Sequence, residues 1–476
     1  MKKLHLALIV LISILLMCSL IYGGLWLYSG QKQLPKGVQL SGWNVGKLKA
    51  EQVLSELEHR LAAMKQLKVE FGGLPDAGKP EIMTLAEAGV SYEADDFTKA
   101  VLQLQEGHVL KRALYRYRFQ KSWTFSADWD MSLLKQRLNT EWERERFGDP
   151  VNAMRSIKGD AVTYTPGKTS LRIGWMRLQD MFTAALPGTK QFHSPDQKEI
   201  INIELPLEPI EPEVTLSSLK DEGIERKIME FSTYLGASGP GRVHNVTSAA
   251  QAVDGIILKP GDVFNYAEVI AKAQKEYGFR EAPVIISGRL VPGIGGGICQ
   301  VSSTLYNAVL LTGLEVVERR NHSLPVNYVS KGRDATYAEG AINFRFRNNT
   351  GKHLLLRAQV IGKSVTIKFF GTFPKDTVYY LETKTIENIP APQKYVRDSS
   401  LAPGQRKVLQ PGKPGYIVET YRVKRVNGKV LKREIISRDV YRGQSSLIGM
   451  NPTRGEIPGS RDFPKAPVVE DGVSGP

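Results

Sequence analysis

The chain has 476 residues, with 64 Lys or Arg against 49 Asp or Glu, a formal net charge of +15. Its length exceeds one ordinary domain, and its apolar fraction of 42% lets each of three expected domains bury a core. The two cysteines are Cys18 and Cys299. Because Cys18 lies in an N-terminal apolar run, an exported body would hold one thiol and no internal disulfide.

Lys2 and Lys3 precede a stretch free of Asp, Glu, Lys and Arg from Leu4 to Gly30. At roughly 1.5 Å per helical residue this run crosses a hydrocarbon core of about 30 Å. The basic residues come first, which places the N-terminus in the cytoplasm and the bulk of the chain outside. Trp26 and Tyr28 suit the outer interface. No small-x-small cleavage site follows, so an uncleaved, single-pass signal anchor over residues 1–30 is favoured over a removed signal peptide. Exported and tethered, a basic chain meets anionic lipid head groups and acidic wall polymers, and this topology argues against nucleic acid as a partner. The plainer reading of the charge is solubility.

Residues 31–205 read as one α+β domain. Val53, Leu54, Leu57 and Leu61 share a helical face, and Leu67–Phe71 alternates like a strand. Arg112 to Lys121 interleaves basic and aromatic residues, as a polymer-binding surface or as an element edge with snorkelling arginines. A helix is expected over Met131–Glu145, a hairpin around Lys158-Gly159-Asp160, a helix over Leu171–Leu186 and a strand over Glu199–Leu205. Pro206, Pro209 and Pro212 mark a linker at 206–216. A second α+β domain spans 217–374. Residues 375–449 are nearly all strand-like, with an Asn427-Gly428 hairpin, and the Pro/Gly-rich residues 450–476 are expected to be disordered.

The chemistry concentrates in Gly295-Gly296-Gly297-Ile298-Cys299-Gln300-Val301-Ser302-Ser303-Thr304-Leu305-Tyr306-Asn307-Ala308. The glycines admit positive φ and close approach of a ligand to main-chain amides. Val301, Leu305, Ala308, Val309 and Thr312 fall on one helical face, and Gly313 is a stop. Cys299 then sits in a first turn, where free N–H groups and the helix dipole favour a thiolate and offer an oxyanion hole. His322 follows as a candidate base and Asp334 as its orienter, with Gln300 and Asn321 as candidate substrate contacts. The same residues also read as turn, cap and packing positions. A phosphate cradle at Gly293–Gly297 lacks the following Gly-Lys-Ser/Thr. Zinc on Cys299, His322 and Asp334 lacks a recognised ligand spacing, so no metal and no cofactor is expected.

Three resemblances attach to these segments. Pro150-Val151-Asn152-Ala153 with the turn and helix after it resembles the peptidoglycan-binding domain that often precedes wall-modifying catalytic domains. Asn245 to Thr350 is similar to the VanW family, named after an accessory protein of glycopeptide-resistance clusters. The matching segments are Leu258–Asn265, Gly295–Ala308, Arg319–Val326, Gly332–Thr336 and Phe344–Thr350. Residues 375–449 resemble the five-glycine (G-five) domain, an extracellular adhesion-like module, through Asp398–Leu401, Gly404, Gln410-Pro411-Gly412, Gly415 and Gly428. Together these imply an α+β multidomain protein of the cell envelope with peptidoglycan as context. They carry no catalytic assignment. The first expectation is a wall-associated binding protein. The alternatives are a Cys299–His322–Asp334 amidase, peptidase or transpeptidase on stem peptides, and an antibiotic-response accessory protein that binds a glycopeptide or a wall precursor.

Overall fold

The structure is a computed structural model and describes residues 2–75, 78–192, 200–286, 289–452 and 469–473. The chain is mixed α+β, opening on an apolar helix and rich in β-structure toward its C-terminal side. The first helix, Lys2–Ser29, is 28 residues long, with its apolar side chains exposed, and is long and apolar enough to cross a membrane.

Two compact units follow from the packing. The first comprises residues 1–151 and 168–213, the second 152–167 and 214–476. In the first unit, Val53, Leu57 and Met64 line the buried face of helix Ala50–Lys65. A three-stranded sheet pairs Lys68–Gly72 antiparallel with Glu81–Thr84 and parallel with Ile201–Glu204. Phe182 stacks on Phe71 and lies 4.4 Å from Trp129, ring centre to ring centre. The single helix expected over 131–145 is two, Met131–Arg137 and Thr140–Phe147. Asn139 breaks it, because its Oδ1 accepts from the Trp142 N–H at 2.9 Å and starts a new helix. Likewise Ser170–Ile173 is a strand, and the helix expected from Leu171 begins at Trp175. The basic-aromatic stretch is largely the helix Val109–Tyr117, in which Arg116 turns inward and donates to the carbonyls of Gln31 and Gln33.

In the second unit a four-stranded antiparallel sheet has the order Arg226–Tyr234, Ser364–Gly371, Leu354–Ile361, Ile257–Leu258. Helices Pro240–Val253 and Ile298–Thr312 share its core with Phe264, Phe344, Phe346 and Phe369. The hairpin Met154–Lys158/Ala161–Thr165, expected with the residues before it, groups with this unit. Asp160 at its turn pairs with Lys227 and Lys368, and the Tyr164 hydroxyl donates to the Ile224 carbonyl at 2.7 Å.

The C-terminal strands form two three-stranded sheets. One has the order Thr377–Ile389, Gly415–Val426, Lys429–Tyr441, and the other Gln393–Arg397, Ser446–Met450, Arg406–Gln410. Asn427 and Gly428 both take positive φ, +49° and +77°, and close the hairpin between paired Val426 and Lys429. Of the tail expected to be disordered, residues 453–468 and 474–476 lie outside the described residues. Val469 and Glu470 instead pair antiparallel with Ile286 and Ile285, adding a third strand to the Glu281–Ile286/Arg289–Ile294 hairpin. Composition predicts local order poorly here because a sheet edge supplies the hydrogen bonds that the segment lacks by itself.

Candidate functional site

Helix Ile298–Thr312 is bounded by two left-handed glycines, Gly297 at φ +110° and Gly313 at φ +75°. At Gly297 a Cβ would come within 2.9 Å of Arg242 Cγ and Val246 Cγ2, so glycine is required by space as well as by dihedral angle. Gly295 and Gly296 pack against the strands around them: a Cβ on Gly296 would stand 2.4 Å from the Pro283 carbonyl. The glycine run is therefore a tight strand-to-helix corner.

Nearly every residue of the helix is buried, its polar ones included. Gln300 Nε2 donates to Thr233 Oγ1 and to the Tyr234 carbonyl, both at 3.1 Å. The Ser302 hydroxyl donates to the Ala335 carbonyl at 2.6 Å, and the Ala335 N–H donates to Ser303 Oγ at 2.9 Å. Asn307 Nδ2 donates to the Arg333 carbonyl at 2.8 Å, and Asn307 Oδ1 accepts from Arg333 Nε at 2.6 Å. These groups tie the helix to the Arg226–Tyr234 strand on one side and to residues 333–337 on the other. Buried polar groups persist only with partners, and here the partners fix which segments meet.

Cys299 is fully buried. Its Sγ accepts from the Tyr337 N–H at 3.0 Å and donates to the Tyr337 carbonyl at 3.4 Å. Burial pushes the thiol well above its ordinary value, and the nearby Asp471 carboxylate pushes in the same direction. Both effects oppose the thiolate expected from the helix start. The amide expected to serve an oxyanion is occupied: the Cys299 N–H donates to Asp471 Oδ1 at 2.8 Å.

His322 and Asp334 are in direct contact. Asp334 Oδ2 accepts from His322 Nδ1 and from the His322 backbone N–H, each at 2.7 Å. Asp334 Oδ1 accepts from the Tyr441 hydroxyl and lies 3.6 Å from Arg319 Nη2. Burial alone would raise the Asp334 carboxyl, but the His322 hydrogen bond and the charges of His322 and Arg319 hold it at about 2. For His322, burial works downward, and the hydrogen bond and charge of Asp334, with Asp471 and Glu470 beyond, carry it above its usual value. His322 Nε2 is buried without a hydrogen-bond partner among the described residues. Among the described residues no hydrogen bond joins Cys299 to His322. Asn321 Nδ2 donates to the carbonyls of His322 and Val440, tying the loop to the last strand of the C-terminal sheet.

Beside these groups lies a cavity of about 1100 Å³, walled by both the Arg226–Ile294 region and the C-terminal strands. Gln300 and Tyr328 line it, with Arg242, Lys331, Lys413 and Arg442 as its basic residues and Asp471 as the one carboxylate among the described lining residues. Lys331 stacks on the Tyr416 ring, 3.3 Å from its centre. Sequence reasoning missed Arg242, Tyr441 and Asp471, whose partners lie far along the chain. The Glu470-Asp471-Gly472 run in a Pro/Gly-rich tail was the only signal for the last. Among the described residues no group of three His, Cys, Asp or Glu side chains is placed to hold a metal ion.

Comparison with known proteins places two families on this architecture. The model for VanW like protein matches residues 241–370, and that for the G5 domain matches residues 381–446. Uncharacterized protein YoaR of Bacillus subtilis is 33% identical over 230 residues, which covers 48% of this chain and 72% of that protein. Vancomycin B-type resistance protein VanW of Enterococcus faecalis is 27% identical over 163 residues, covering 33% of this chain and 57% of that protein. Among solved structures, the IgA1 protease G5 domain is 27% identical and covers 18% of this chain and all of its own, with a TM-score of 0.14.

Proposed function

We propose, for a chain that belongs to the VanW family and carries a G5 domain, that it is a membrane-anchored, cell-wall-associated protein that binds anionic wall polymer. The carrying observation is the cavity shared by the VanW and G5 segments. Four cationic side chains, Arg242, Lys331, Lys413 and Arg442, converge on it from residues up to two hundred apart in the chain. The only carboxylate among its described lining residues comes from residues 469–473 of the chain itself. Concave basic surfaces concentrate anionic ligands, and a wall supplies them as phosphate polymers and as stem-peptide carboxylates. The helix Lys2–Ser29 anchors the chain, and Lys2 and Lys3 set its inner end. Residues 31–205, by their resemblance to peptidoglycan-binding domains, add a second point of attachment.

The test is retention of the detergent-solubilised full chain on purified peptidoglycan, with and without its phosphate polymers. Reversal of Lys331, Lys413 and Arg442 to Glu should weaken retention about tenfold, or about 1.4 kcal/mol. Retention should also fall with salt. Equal retention by wild type and the triple variant would sink the reading.

A second reading rests on one observation. The His322 ring is oriented by Asp334 at 2.7 Å and keeps Nε2 unbonded, the disposition of an acid–base imidazole. In that reading the deprotonated Cys299 sulfur bonds to the carbonyl carbon of a stem-peptide amide, the C–N bond breaks with the amine leaving on a proton from His322, and water or an acceptor amine then releases the acyl group from sulfur. Cys299→Ser then abolishes release of peptide fragments from the wall, whereas in the binding reading the same variant is retained on the wall like wild type and no fragments appear with either protein.

A further inference from the structure

Residues 469–473 do more than rest on the surface. Asp471 is 6% exposed and Val473 3% exposed, as deep as the core around them. The segment threads between the Glu281–Ile294 hairpin and residues 337–338. Glu470 pairs with Ile285, the Asp471 N–H donates to the Tyr337 carbonyl at 3.3 Å, and the Val473 N–H donates to the Ile294 carbonyl at 3.0 Å. Tyr337 is the residue whose backbone holds Cys299 Sγ, so this segment lies directly against the thiol.

The side chains are read as closely as the backbone. Asp471 Oδ1 accepts from the Cys299 N–H at 2.8 Å, and Oδ2 lies 3.3 Å from Arg242 Nη1. Arg242 is itself aimed by Gln300 Oε1 at 3.0 Å. Glu470 Oε2 accepts from both the N–H and the hydroxyl of Ser323, at 2.9 and 3.0 Å. Gly472 fits where no side chain does: a Cβ there would come within 2.7 Å of the Ile294 carbonyl and of Val284 Cγ1. Asp471 takes φ +61°, a conformation few non-glycine residues adopt, which a fixed set of contacts must hold. His322, next to the Ser323 that Glu470 holds, is fully buried, and its Nε2 has no hydrogen-bond partner among the described residues.

We propose that residues 469–473 are a displaceable internal ligand, and that the groove beneath them binds, in their place, an extended acidic peptide. Its recognition pattern is carboxylate, carboxylate, glycine, small apolar residue. The backbone joins the hairpin edge as a third strand, the strand-addition mode of peptide binding. The second carboxylate sits on the helix start and Arg242, where the dipole and free N–H groups favour an anion. While the chain's own segment is seated, it covers Cys299 and fills one end of the basic cavity. The occupant in trans therefore competes with a tethered copy, and only a peptide that reproduces the carboxylate on Arg242 displaces it.

The experiment uses the full chain in detergent with Cys18→Ser, so that Cys299 is the only thiol. Two readouts are followed: iodoacetamide alkylation of Cys299 by mass spectrometry, and anisotropy of a labelled Val-Val-Glu-Asp-Gly-Val peptide. Gly472→Val should dislodge the segment, raise alkylation about tenfold or more, and create saturable peptide uptake that Arg242→Ala removes. A peptide with Ala for its Asp should not bind. If Gly472→Val lacks a cooperative melt, Asp471→Asn, which keeps the shape and removes the charge, replaces it, with the same expected directions at smaller size. Alkylation unchanged in a folded variant, or uptake indifferent to the peptide's Asp, overturns the proposal. Neither readout involves the wall, so loss of wall retention in the earlier test leaves this result standing.

Discussion

Two buried aspartates complete the surroundings of Cys299 and His322, and they are held in different ways. Asp334, in the loop before the VanW core closes, is bound by the His322 ring and backbone, by Tyr441 from the last G5 strand, and by the charge of Arg319. Arg319 in turn pairs with Asp439, and Thr420 of the G5 sheet donates to the Gly332 carbonyl at 2.9 Å. Asp471 has one amide, one guanidinium and the backbone of a five-residue segment. The first is a knot that joins two sequence families into one folded body, and the second is a latch on one edge of it. The difference teaches that the same residue type, buried in both places, serves permanence where its partners are many and charged, and exchange where they are few.

The comparison is broken most severely at Asp334. Asp334→Ala leaves the buried His322 without its counter-charge and Arg319 with Asp439 alone, and should cost about 3–5 kcal/mol. Thermal melting of the full chain reads this, and the loss should exceed that of Asp471→Ala by a clear margin; equal losses would erase the distinction between knot and latch. Next comes Tyr441→Phe. Its hydroxyl donates to Asp334 and accepts from the Gly332 N–H, so its removal should cost about 1–3 kcal/mol. Tyr380→Phe, on an exposed position of the same sheet, serves as the comparison.

The pH dependence sharpens the contrast. Asp334 is held at about 2, below its unfolded value, so its contribution is present above roughly pH 4 and is lost as pH falls toward 2, an effect of about 2 kcal/mol. His322 is raised, so its contribution is present below its unfolded value and is lost as pH rises through the folded one. Melting temperature followed from pH 3 to 9 should therefore fall at both ends, and His322→Gln should flatten the alkaline fall. An alkaline limb that survives that substitution would assign it elsewhere. The smallest expected effect is the coupling of Arg242 with Asp471, about 1 kcal/mol in a double-mutant cycle.

Much of this was legible in the sequence where the information is local. The apolar N-terminal run, the helix from the Gly297 corner to Gly313 and the Asn427-Gly428 hairpin follow from periodicity and from residues that tolerate positive φ. Cys299, His322 and Asp334 stand out by residue type. What pattern cannot supply is partnership across distance. Nothing local tells that Tyr441 completes Asp334 or that Asp471 caps a helix 172 positions earlier in the chain. The helix motif misleads for the same reason: Cys299 in a first turn suggests a thiolate, until a carboxylate from elsewhere takes the amide. Nor does the motif tell that Ser302, Ser303 and Asn307 bond to the backbone of residues 333–335 and so serve assembly.

The antiparallel addition of Val469 and Glu470 to the hairpin edge also has a meaning in time. A chain that emerges from its N-terminal end exposes the Gly297 corner, the thiol and the open strand edge well before residue 471 follows. For that interval the edge is a bare template, the kind that recruits stray strands. The late strand shields it once the body has formed. The groove is thus sealed only after its floor has been made, and whether Cys299 is covered records whether that later strand has docked.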